Sequence, residues 1–311
     1  MIDQVDGLKF TGEPSYWPDE VKTVSMANSF GIASFAPDWW VEDIRRARRV
    51  VREGHQVLIV SVVASRSGTR DTLIEDFVEA ALLAKKAGAD IIEANYSCPN
   101  TPDDRVTGDL YKSAETAGEV SRAIKEALGK TPLFVKIGYL SETGLSAFME
   151  HNKRHIDGIV AINTIPAKIV DAFGNSTFCG EGREFAGVSG WAIRSMAHQV
   201  SRNLVKLRDQ VKTELHKDLT IIGLGGVLVA EDAMHYLDAI GTDAVESCTG
   251  AFLNPNLALH TRFDTESVGK RPSRAEFELK TFGKFLSDVI LHPSRPTRLR
   301  VDTKRRRAVV E

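Results

Sequence analysis

Apolar residues along this chain switch repeatedly between two spacings. Over APDWWVEDIRRARRVVREG (36–54) they recur at Trp40, Ile44, Ala47 and Val51, close to the step of one helical face, and Gly54 supplies a stop. QVLIVSVV (56–63) follows as a continuous apolar run rich in β-branched residues, the composition of a strand covered on both faces. A helix is then predicted from a cap at Asp71 to Gly88, with Leu73, Phe77, Ala80 and Ala84 on one face. The same reading gives strands at 90–95, 133–137, 158–163, 219–224 and 243–247. Helices are expected near 113–128, 142–154, 191–215 and 230–240, with a long loop after residue 163. Terminal helices and a basic tail at 295–311 complete the expectation.

Six strands, each followed by a helix, imply a parallel sheet covered by helices. Two folds satisfy that, the open doubly wound sheet and the (β/α)8 TIM barrel. The polar and glycine signals SCPN, KIG, NT, GGV and CTG all fall at C-terminal strand ends, the ligand side in both folds. No GxGxxG opens a first βα unit, and a phosphate site after the last two strands favours the barrel. Residues 1–311 are therefore expected to form one α/β barrel domain. A barrel needs eight βα units, and the first 22 residues, with Pro14 and Pro18, cannot supply two more. The expectation is a TIM-type barrel lacking its first two βα units.

At 42% hydrophobic and 26% charged residues the composition is that of a globular domain. A net charge of −2 gives no electrostatic case for nucleic acid or an anionic membrane. The absence of a long apolar run and of a signal-peptide core leads to a cytoplasmic, non-membrane expectation. Cys98, Cys179 and Cys248 form no CxxC pair, zinc spacing or disulfide framework, so no metal is expected, and three cysteines cannot hold a four-cysteine cluster. The KRRR at 304–307 reads as a solvated tail, and the histidines show no ligand spacing.

IIGLGGVLVAEDA sets Gly223, Gly225 and Gly226 between a strand and a helix, and VESCTGAF ends the next strand with Cys248, Thr249 and Gly250. One such pair is usually a turn, whereas two in succession suit backbone amides around a phosphate. Lys136, ending the apolar strand LFVKI, is either a strand-end residue reaching water or a cation held against developing negative charge. Asn28, Asn95, Asn100 and Asn163 each read as turn residues alone; together they offer donors and acceptors to a flat ligand with amide groups. Cys98 in EANYSCPNT is either a small buried hydrophobe or, at a polar rim, an acid/base.

The segments ANSFGIAS, EANYSCPNT, VKIG, AINT, GVSGWAIR, IIGLGGV and CTGAF, in that order from about residue 24 to 263, resemble the dihydroorotate dehydrogenase family. The pyrimidine-binding domain of dihydropyrimidine dehydrogenase is a close relative. N-x-S-C-P-N is the specific motif, and the others support it. The resemblance implies a flavin mononucleotide (FMN) barrel that oxidises dihydroorotate to orotate in pyrimidine biosynthesis. Cys98 matches the base that removes the C5 proton, cysteine being the choice of the soluble class. Asn28, Asn95, Asn100 and Asn163 match the asparagines that bind substrate, and Thr164 a neighbouring hydroxyl. Lys136 matches the lysine at the flavin ring, which Asn95 also adjoins. Ser189, Gly190, Gly225, Gly226 and Thr249 match the phosphate contacts, and Cys248 stands where many members have glycine, as in some dihydropyrimidine reductases. Residues 101–113 fit the family's flexible loop and 8–30 its hairpin.

The family's first two βα units, including a second lysine near flavin and substrate, have no counterpart here, so weak flavin retention and partial or no activity are expected of this chain alone. The alternatives are a uracil-type dihydropyrimidine reductase, a non-catalytic homologue, and a phosphate-binding barrel of aldolase or isomerase type. The expected partners are a small dihydropyrimidine, an electron-transfer chain and further copies of itself, with fumarate, a quinone or an NAD-linked chain open as acceptor.

Overall fold

The computed structural model describes residues 9–11, 21–29, 35–51, 56–65, 69–97, 109–171, 173–178, 185–259, 261, 299–302 and 307–310. Its centre is a six-stranded parallel sheet: β3 (Ile59–Val62), β4 (Ile91–Asn95), β5 (Leu133–Ile137), β6 (Gly158–Ala161), β9 (Thr220–Leu224) and β10 (Ala244–Glu246). The strands lie in the order β10-β9-β6-β5-β4-β3, every neighbouring pair parallel. Helix α1 (Pro37–Val50) precedes β3, and helices α2 (Arg70–Ala87), α3 (Ala114–Leu128), α4 (Glu142–Asn152), α5 (Arg194–Leu215) and α6 (Ala230–Met234, prolonged by a π-helical stretch His235–Ile240) lie in the five crossovers. Among the described residues, the outer edges of β3 and β10 have no strand partner.

Strand parity divides the sheet into two faces. Leu133, Val135 and Ile137 of β5 point into the layer shared with the helices, alongside Ile92, Ala94, Ile159 and Ile221. The alternate positions Phe134, Val160 and Ile222 form a separate cluster on the inner face, with Ile59, Ile91, Leu224 and Ala244 against it. Gly158 leaves room for the Phe134 ring, whose Cδ1 would lie 2.8 Å from a Cβ there.

An aspartate clamp recurs at the N-terminal end of the sheet. Asp90 accepts from Leu58 N at 2.8 Å and Arg48 of α1 at 2.6 Å. Asp157 accepts from Leu133 N at 2.8 Å and Lys125 of α3 at 2.7 Å. Asp243 accepts from Ile221 N at 2.8 Å and Arg208 of α5 at 3.0 Å. Each ties a helix and the strand that follows it to the next strand, at the seams β3–β4, β5–β6 and β9–β10.

Several elements differ from expectation. The cap of α2 is Thr69, whose Oγ1 accepts from Thr72 N at 3.4 Å, rather than Asp71. The segment after β6 carries a ribbon, β7 (Ile165–Val170) antiparallel to β8 (Phe185–Gly190), where a loop was expected. Among the described residues, the two strands of the stretch read as a hairpin do not pair with each other: β1 (Lys9–Thr11) joins β7 in parallel and β2 (Ser25–Asn28) joins β8 antiparallel, in the order β1-β7-β8-β2. Within the expected basic tail, β11 (Leu299–Asp302) pairs antiparallel with β12 (Arg307–Val310). The terminal helices expected after residue 261 and the loop at 101–108 lie outside the described residues. No helix among the described residues is long and apolar enough to cross a membrane.

Candidate active site

The site candidates collect at the C-terminal ends of the sheet strands, and β4 sets their geometry. Tyr96, just past β4, is fully buried: its ring meets Phe77 edge-on at 5.4 Å, and its hydroxyl lies 2.9 Å from Ser121 Oγ. Ser121 in turn donates to Asn152 Oδ1 at 2.7 Å, joining α3 and α4. Tyr96 thus anchors this strand end in the helical layer. Period two then leaves Asn95 on the inner face, in register with Lys136 of β5.

Asn95 Oδ1 accepts from Ser97 N at 3.1 Å and from Asn163 Nδ2 at 3.2 Å. Asn163 Nδ2 also donates to Ser97 O at 2.5 Å, while its Oδ1 accepts from Thr164 N at 2.8 Å. These bonds fix the amide orientations of two half-buried side chains, as preorganised recognition of a flat polar ring requires. Thr164 packs where a Gly187 side chain would stand, its Cβ 3.0 Å from the virtual carbon, and Gly187 pairs in register with Asn28. Asn95, Asn163, Thr164 and Asn28 therefore form one connected rim. Cys98 and Asn100 lie outside the described residues.

Below this rim sits a charged cluster of which the sequence singled out only Lys136. Lys136 Nζ donates to Glu93 Oε1 at 2.5 Å, and Ser61 Oγ donates to the same oxygen at 2.6 Å. The Glu93 side chain is 2% exposed and that of Lys136 17%. Glu246 of β10 lies near enough for the charges of Glu93 and Lys136 to act on it. Three strands separate β10 from β4, about 19 Å in a flat sheet at 4.8 Å per strand, so the sheet must curl to bring them together. Burial would lower the Lys136 pKa, but the carboxylates of Glu93 and Glu246 outweigh it and hold the pKa above the ordinary range. Burial, then the Glu93 charge, push Glu246 up to about 7. The available signal was parity: Glu93, Lys136 and Glu246 are acidic or basic residues inside otherwise apolar strands, at inner-face positions.

The remaining candidates lie at the C-terminal ends of β8, β9 and β10. Ser189 Oγ lies 2.9 Å from Thr249 Oγ1, joining the end of β8 to the start of α7 (Thr249–Leu253). Gly190 has φ 84°, and a side chain there would strike Val24 O and approach Thr249 Cγ2 at 3.3 Å. Gly225 and Gly226 turn with φ 115° and 72°; side chains there would meet Ala197 Cβ at 2.8 Å and the Arg194 side chain. Tyr236 OH donates to Gly225 O at 2.8 Å, and Ser247 Oγ to Val227 O at 2.7 Å, tying the loops after β9 and β10 together. Asp232, bonded to Arg194 at 2.5 Å, accepts from Leu228 N and Val229 N. Cys248 is exposed beside this cradle. Hydroxyls and glycine turns thus gather at neighbouring strand ends.

The profile of the dihydroorotate dehydrogenase family matches residues 12–262. The chain is 30% identical over 248 residues to dihydroorotate dehydrogenase of Dictyostelium discoideum, covering 78% of this chain and 64% of that protein. It is 28% identical over 225 residues to the dihydroorotate dehydrogenase B (NAD(+)) catalytic subunit of Methanocaldococcus jannaschii, covering 72% and 66%. It is 29% identical over 222 residues to the NAD-dependent dihydropyrimidine dehydrogenase subunit PreA of Escherichia coli, covering 68% and 49%. The chain thus spans under two thirds of the length of these relatives. A family match over most of the chain, on six parallel strands bearing the motif residues at one end, has one reading: this chain belongs to the dihydroorotate dehydrogenase family.

Proposed function

We propose that this chain is the FMN-binding part of an oxidoreductase that converts dihydroorotate to orotate. The observation that carries the proposal is the Asn95–Asn163 amide pair, locked in orientation beside the Lys136 ammonium. Ser189, Gly190, Gly225, Gly226, Cys248 and Thr249 would hold the phosphate end of FMN, and Asn95 and Lys136 would adjoin its ring. When bound, the flavin supplies an acceptor for the hydride from C6 of the substrate. Asn28, Asn95, Asn100 and Asn163, with Thr164, orient the pyrimidine through its carbonyl, N–H and carboxylate groups. Neutral amides suit this task because they stabilise enolate-like charge at C5 without competing as bases. Cys98, three residues beyond Asn95, takes the C5 proton as its thiolate. A cysteine with an ordinary pKa near 8.5 is mostly protonated at neutral pH, so turnover rises as pH approaches that value.

The likeness to PreA favours a second reading, a uracil-type dihydropyrimidine as substrate. Anaerobic addition of dihydroorotate or dihydrouracil to FMN-loaded protein separates the two, read as bleaching of the flavin absorption. The first reading expects bleaching by dihydroorotate and, in Cys98→Ser, a reduction rate lower by about 100-fold or more. Bleaching by dihydrouracil alone favours the second, and a protein that takes up no FMN defeats both. We further propose a separate electron-transfer chain as partner, as the words "catalytic subunit" in the name of the Methanocaldococcus relative suggest, in a cytoplasmic homo-oligomer.

A further inference from the structure

We propose that Glu93, itself held by Ser61, is a positioning residue that anchors the Lys136 ammonium at a fixed depth on the inner face, below the Asn95–Asn163 amides. Three neighbouring strands build the anchor. Ser61 of β3 stands in register with Glu93 of β4, and Lys136 of β5 stands in register with Asn95, two residues further along the same face of β4. The lysine chain therefore reaches back from the rim: its Nζ donates to Glu93 Oε1 at 2.5 Å, and Ser61 Oγ donates to that same oxygen at 2.6 Å. Donors from the strands on either side thus fix one carboxylate oxygen, and that oxygen fixes the ammonium. Left to itself a lysine stem samples many rotamers, and a charge-assisted bond to a buried carboxylate selects one. Packing alone does not call for this pair. Phe134, Val160 and Ile222 make the same inner face apolar, and a buried ion pair there is often no more stabilising than apolar side chains of similar size. The Glu93 side chain is 2% exposed, so its charge has to be met inside the fold. Burial alone would lower the Lys136 pKa; the charge of Glu93 is the largest influence opposing that, ahead of Glu246 and Cys248. What the anchored cation does for an anionic ring rests on the flavin reading of Lys136; the anchor does not.

Acetylation of amines across a range of pH, read peptide by peptide by mass spectrometry on the chain as purified, tests the anchor, because only the unprotonated amine reacts. Glu93→Gln keeps an acceptor but removes the charge, so burial prevails and the pH midpoint of Lys136 reactivity should fall below that of wild type. At pH 8 the residue should then react about tenfold faster or more. Glu93→Asp keeps the charge but shortens the reach by one methylene, so its midpoint should fall less; it decides the matter if the glutamine variant does not fold. Lys125 and Lys217, bonded at the opposite end of the sheet, should react as in wild type. An unmoved midpoint, a rise in Lys136 reactivity that is uniform across pH, or one shared by Lys125 and Lys217 overturns the proposal. Sulfite provides the coupling test in FMN-loaded protein, because its lone pair adds to flavin N5 and leaves an anionic ring. The ratio of Glu93→Gln to wild-type sulfite dissociation constants should rise up to about tenfold from pH 7 to pH 9, as the unanchored ammonium loses its proton; a ratio independent of pH overturns the coupling. A chain that takes up no FMN counts against the flavin reading instead, and the acetylation profile then decides the anchor alone.

Discussion

Asn163 shows how much one side chain organises at the residue scale. Its amide nitrogen bridges Asn95 Oδ1 and Ser97 O, and its oxygen holds the Thr164 amide. Asn163→Asp would remove the donor and set a carboxylate against two oxygen acceptors. The expected cost is about 1–3 kcal/mol for groups left unsatisfied, seen as a lower urea midpoint, together with loss of orotate binding by calorimetry. Asn163→Ala should lose the binding with a smaller drop in midpoint, because it leaves no charge. The sequence singled out Asn95, Asn163, Thr164 and Lys136, because amides, a hydroxyl and a lysine at strand ends are visible as types in positions. It passed over Glu93 and Glu246, since the partners of Glu93 are 32 and 43 residues distant and nothing local marks a carboxylate as paired.

The three aspartate clamps belong to the scale of elements. Each lies just before a strand and joins the preceding strand–helix pair to it through one backbone amide and one cation. Removing the charge-assisted bonds in Asp157→Ala should lower stability by about 1.5–3 kcal/mol, measured by denaturant unfolding. Asp90 adds a pH dependence. The Leu58 amide outweighs burial and, with Arg48, holds its pKa below 3.8, so its contribution is present above that value and is lost as pH falls through the lowered one. Asp90→Asn should therefore reduce the fall in urea midpoint between pH 5 and pH 2.5; an unchanged fall would remove Asp90 from the acid response. Helices and sheet strands were legible because their apolar spacing is local. The four-stranded β1-β7-β8-β2 sheet was not, since β1 and β2 join its two edges from far upstream.

For the molecule as a whole, His198 and Glu246 set opposing pH responses. Burial, then the charges of His235 and of Arg194 and Arg202, lower His198 from 6.5 to about 4, so it stays neutral in the fold while the unfolded chain takes up a proton. Its contribution to stability is lost as pH falls from 6.5 towards 4. Glu246, raised from 4.5 to about 7, responds oppositely: stability is lost as pH rises from 4.5 through 7. Between 4.5 and 6.5 the two partly cancel. Unfolding midpoints across that range should rise with pH in Glu246→Gln and fall with pH in His198→Gln, relative to wild type. Parallel profiles in all three proteins would show that neither linkage operates.

The sequence by itself determined the parallel α/β architecture, its six sheet strands and the end of the sheet on which the motif residues gather. These follow from the period of apolar positions and from residue types at strand ends, both local properties. The tertiary structure alone decided which groups meet. Curling of the sheet brings Glu246 of β10 to Glu93 of β4, and the ribbon sets Ser189 against Thr249. The physical reason is that burial and charge balance depend on distances through space, which the spacing of residues along a chain does not encode.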